Sequence, residues 1–68
     1  MNATNAADAL TIAAAAIAKD HAERECNAAM VAILDTRKPT AAMWAAHTEA
    51  HNRFMAADRA YVLAVHGA

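Results

Sequence analysis

The sequence predicts an all-α fold: an antiparallel two-helix hairpin that dimerises into a four-helix bundle along an alanine-rich seam. Three observations predict it. Alanine, the best helix former, makes up 23 of the 68 residues. The only proline, Pro39, falls near mid-chain and the only glycine, Gly67, next to the end, so two long stretches run without a breaker. Small side chains also recur in steps of three and four, at Ala15, Ala18, Ala22, Cys26 and Ala29 before Ile33. Such a stripe belongs to a helix packed unusually close to another.

Helix 1 is expected over about residues 6–36. Asn5 has the form of an N-cap, and Asp8 sits in the first turn, where the positive end of the helix dipole favours an acid. The stop is the segment Asp35-Thr36-Arg37-Lys38-Pro39, because proline cannot continue the hydrogen-bond ladder and biases Lys38 away from helical geometry. Arg37 and Lys38 are expected to complement the negative dipole end. The turn takes about residues 37–40. Thr40 then caps helix 2, expected over about 41–66 with Gly67 as its stop. So short a link makes the helices antiparallel neighbours.

Helix 2 carries a seven-residue pattern of its own. One line is Thr40, His47, Phe54 and Tyr61, and the adjoining line is Met43, Ala50, Ala57 and Ala64, the large-and-small alternation of an antiparallel coiled-coil seam. Asn52, Arg59 and His66 lie opposite, toward water. A second apolar line holds Trp44, Met55, Val62 and Val65, and helix 1 has a matching extra line in Leu10, Ile17 and Val31. Two apolar faces per helix need two neighbours. One is the other helix of the hairpin, and the second is most economically a second copy related by a two-fold axis. The expected dimer interface is Leu10, Ile17, Arg24, Val31, Met55 and Val62.

Composition narrows the reading. Residues 1–68 make one domain, and a chain this short buries only about 60% of its unfolded surface, so self-association is the expected remedy. Cys26 is the only cysteine, which leaves no internal disulfide and no thiol pair for a zinc knuckle; a reducing, cytoplasmic setting is expected. The apolar stretch from Ala9 to Ala18 is preceded by Asp8 and no basic residue, unlike a secretory signal, and is too short to span a bilayer. Six basic and seven acidic residues give a net charge of −1, with no general attraction for phosphate backbones. Neither a membrane nor a nucleic acid is an expected partner.

Bulky residues gather toward the ends of the folded rod, and its middle is polar. Residues 19–27 face His47, Glu49, His51, Asn52 and Arg53 across this waist. His47 and His51 are four apart, the separation that lets two imidazoles reach one ion, and the register brings Cys26 near both. Cys26, His47 and His51 are therefore the candidate metal ligands, with His21 or Glu25 nearby. The segment is not His-Glu-x-x-His, and seam filling by His47 with a solvated His51 is the bland alternative. Cys26 on a small-residue stripe reads as a spacer rather than a nucleophile. No glycine-rich phosphate loop or oxyanion cradle is present, so no cofactor and no enzymatic activity are expected.

The waist charges mostly answer one another along the helix, Asp20 with Arg24 and Glu49 with Arg53. Arg24 also interrupts the apolar line of Leu10, Ile17 and Val31, where one polar residue could set bundle register and partner choice. Trp44, Met43, Arg37 and Lys38 at the turn form a candidate partner-binding tip, with plugging of the core end as the bland reading of Trp44.

The function that fits is a small non-catalytic protein–protein interaction module, binding itself as a homodimer and a further unidentified protein as adaptor, assembly factor or inhibitor. A phage or mobile-element accessory protein that blocks a host protein is one such context. Two alternatives stand beside it. One is a metal-binding or sensing bundle built on the His/Cys layer. The other is a small RNA-binding hairpin dimer, because the hairpin pattern with its close, alanine-containing seam resembles the plasmid copy-control hairpin dimers. That resemblance covers the pattern alone, and Arg24 with Arg53 do not amount to a basic face for RNA.

Overall fold

The computed structural model describes residues 6–67, and two helices account for nearly all of them: α1, Ala6–Leu34, and α2, Ala41–Gly67. The two pack against each other as a hairpin. The rod measures 55 × 14 × 11 Å, and its radius of gyration of 15.7 Å exceeds the roughly 11 Å of a globule of this length. Asn5, the expected cap of α1, lies outside the described residues.

The turn follows the expected chemistry on one side and departs from it on the other. The Met43 amide donates to Thr40 Oγ1 at 3.1 Å and the Trp44 amide to the Thr40 carbonyl at 3.2 Å, so Thr40 is the N-cap of α2. α1 ends at Leu34, two residues before the expected end. The Thr36 amide donates to Ile33 in a tightened turn, while its hydroxyl donates to the Ala32 carbonyl at 2.6 Å and satisfies a last-turn acceptor. Arg37 and Lys38 consequently lie beyond the last helical turn, where the dipole effect has fallen away. Gly67 remains within α2 and takes no left-handed φ.

The contact between the helices is a regular heptad seam. On α1, Ile12, Ala15, Lys19, Ala22, Cys26, Ala29 and Ile33 turn inward, and on α2, Met43, His47, Ala50, Phe54, Ala57, Tyr61 and Ala64 do. Each series runs in alternating steps of three and four residues, the knobs-into-holes rhythm of a coiled coil. The α2 lines are those the sequence indicates, except that Thr40 is spent on the cap. On α1 the inward residue between Ala15 and Ala22 is Lys19, and Ala18 is exposed. Six of these positions, three on each helix, are filled by alanine, whose small side chain lets the helix axes approach.

The core is correspondingly thin. Among the described residues only Ala22, Ile33 and Ala50 are buried, and every larger apolar side chain except Ile33 keeps contact with water. Among the described residues no helix is long and apolar enough to cross a membrane.

Candidate functional site: the polar waist and the apolar flank

Three cross-helix contacts build the waist. Lys19 reaches Asp58 on α2, Nζ to Oδ1 at 3.1 Å, and its ammonium lies 4.9 Å from the centre of the Tyr61 ring. Glu25 and Arg53 meet at 3.8 Å. Cys26 Sγ stands 4.0 Å from His47 Nε2, and both side chains are partly buried. Around these, Arg24 bonds Asp20 at 2.8 Å and His21 approaches Glu25 at 3.6 Å, each one turn along α1.

Lys19 sits in the seam because its aliphatic stem can fill a knob position while the ammonium emerges to find a carboxylate. Sequence spacing misses this contact, since Lys19, Asp58 and Tyr61 are brought together only by the pairing of the helices. Arg53 likewise corrects an expectation. It turns toward Glu25 on α1 rather than along its own helix toward Glu49. A flanking position beside a seam faces the matching flank of the antiparallel neighbour, so the cross-helix acid competes with the local one.

The expected metal ligands are only partly assembled. Cys26 and His47 are in contact, and His51 stacks on His47 with ring centres 6.2 Å apart and planes at 22°. Stacked rings do not point their nitrogens at a common ion. Among the described residues no three His, Cys, Asp or Glu side chains form a group that could hold a metal. The expected tip also divides. Met43 faces the seam, whereas Trp44, half exposed, and Arg37 and Lys38 are on the surface.

The outer surface is sharply sided. Glu25 and Arg53 mark one broad side of the hairpin, which also carries His21, Glu49 and Leu63 among alanines such as Ala18, Ala32, Ala46 and Ala60. Asp58 marks the other, which holds Leu34, Trp44, Met55, Val62 and Val65. Leu10, Ile17 and Val31 continue this apolar surface around the outer edge of α1, nearly opposite α2. Of the large apolar side chains exposed among the described residues, only Leu63 lies on the alanine side. The six residues expected at the dimer interface thus occupy two adjoining surfaces: Leu10, Ile17, Arg24 and Val31 on the α1 edge, Met55 and Val62 on the broad side.

In comparisons with known proteins, no family model, no curated protein and no solved structure matches the chain.

Proposed function

We propose that this protein is a non-catalytic protein–protein interaction module that works as a homodimer, two hairpins forming a four-helix bundle, and presents the remaining helical surface to another protein as adaptor, assembly factor or inhibitor. The observation that carries this reading is the exposed apolar surface. Leu10 is 70% exposed, Ile17 71% and Trp44 50%, beside a core of three buried side chains among the described residues. A surface that apolar on so thin a rod favours association over solitary folding. The waist supports the same reading, because Lys19 with Asp58 and Arg53 with Glu25 pair across the helices and Arg24 with Asp20 along one.

Mass in solution tests the proposal. Sedimentation equilibrium from low to high micromolar concentration is expected to give twice the chain mass, with helicity by circular dichroism rising together with the dimer. A fully helical monomer at every concentration would overturn the homodimer.

A further inference from the structure

We infer that the second copy covers one particular side of the hairpin, the broad side bearing Trp44, Met55 and Val62, and leaves the side of Glu25 and Arg53 in water. This rests on the self-association just proposed and goes further by naming the surface. The first argument is area. The chain exposes 4922 Å², against roughly 4100 Å² for a compact monomer of its mass, an excess of about 800 Å². A standard protein–protein interface takes about 800 Å² from each partner. The broad side, 55 Å long and 14 Å across between Cα extremes, is a surface of that size.

The second argument is pattern. Toward the turn this side is apolar at Leu34 and Trp44, and toward the open end it is apolar again at Val62 and Val65. Between them lies a belt in which Asp20, His51 and Asp58 surround the single exposed apolar side chain of Met55. Apolar, polar, apolar is unchanged by reversal. A second copy laid on it by a two-fold axis therefore sets apolar ends on apolar ends and belt on belt. Polar groups confined to the centre of such an interface select register, as buried polar residues do in coiled coils. An anionic lipid surface is a poorer occupant, because the belt carries Asp20 and Asp58 where a membrane would need apolar or basic residues.

The opposite side lacks both features. Its alanines bury little, and Glu25 with Arg53 and His21 already form a hydrated cluster.

The experiment places one reporter on each side. In a Cys26→Ser background, Thr48→Cys lies on the apolar broad side and Glu49→Cys on the alanine side, and both positions are exposed in the hairpin. Alkylation of Thr48→Cys is expected to slow by roughly tenfold or more as concentration passes through the dimerisation range, while that of Glu49→Cys stays constant. In parallel, Met55→Glu is expected to weaken the dimer by roughly tenfold or more and Ala56→Glu to leave its mass unchanged. The cysteine pair decides the matter even if Met55→Glu fails to fold. Protection at Glu49→Cys, at both cysteines, or at neither in a chain that still dimerises overturns the sidedness alone. A wild-type chain that stays monomeric overturns the homodimer as well.

Discussion

Lys19 and Asp58 form an ion pair across the helix seam, 3.1 Å from nitrogen to oxygen, with the lysine ammonium also resting over the Tyr61 ring. The lysine occupies the seam line of Ile12, Cys26 and Ile33, where the rhythm of α1 calls for an apolar residue. Both charged groups are about a third exposed, so solvent screens the pair and its worth is modest. A double-mutant cycle with Lys19→Ala and Asp58→Ala is expected to return a coupling of about 0.5–1 kcal/mol in urea melts, shrinking at high salt. Lys19→Leu, which fills the knob position without the charge, is expected to hold or raise stability. Salt-independent coupling would mean that packing on Tyr61, not charge, unites these residues.

Ala50 is among the most buried residues of the chain, and Ala22 is comparable. A larger side chain there has to push the helices apart. Ala50→Leu is expected to cost about 1–3 kcal/mol of unfolding free energy through overpacking. Ala18→Leu, at an exposed position, is expected to change stability by less than about 0.5 kcal/mol. Thermal or urea melts of the two variants check both values, and equal effects would deny that α1 turns Lys19 rather than Ala18 to the seam.

Thr40 accepts a hydrogen bond from the Met43 amide through its hydroxyl. Losing that acceptor leaves an orphan donor in the first turn of α2. Thr40→Ala is therefore expected to lower stability by about 1 kcal/mol, and Thr40→Asp, which keeps an acceptor and complements the dipole, to preserve it. The urea midpoint reads the difference. Equal midpoints for the two variants would show that Pro39 alone sets the start of the helix.

These residues also show which parts of the molecule could be read before folding and why others could not. Pro39 and Thr40 act within a few residues of themselves, so the turn and the cap were legible from the sequence. The α2 seam was legible too, because Met43, Phe54 and Tyr61 stand out against their neighbours. In α1 the run from Ala13 to Ala18 has alanine at nearly every position, and the inward line loses contrast there; Ala18 is then indistinguishable from the true knob, a lysine that no hydropathy pattern would choose. Arg53 is a similar case. Its local partner Glu49 is visible in the spacing, but the partner it meets, Glu25, comes from the other helix. Contacts set by pairing geometry become visible only once the register of the two helices is known.

Arg24 interrupts an otherwise apolar edge of α1, one heptad after Ile17 and one before Val31, and it is exposed, bonded to Asp20 on its own helix. Stability does not require it there, because an exposed pair one turn apart contributes only about 0.3–0.5 kcal/mol. A larger effect on association is expected. Arg24→Leu would join Leu10, Ile17 and Val31 into one unbroken apolar line along the rod, with no polar residue to penalise slipped or additional contacts. The expected outcome is a higher melting temperature together with a spread of species beyond the dimer in sedimentation velocity. Arg24→Gln, which keeps polarity but loses the ion pair, is expected to retain the wild-type mass distribution. A single clean dimer from Arg24→Leu would remove the register role from this residue, and would place the specificity of association on the belt of His51 and Asp58 instead.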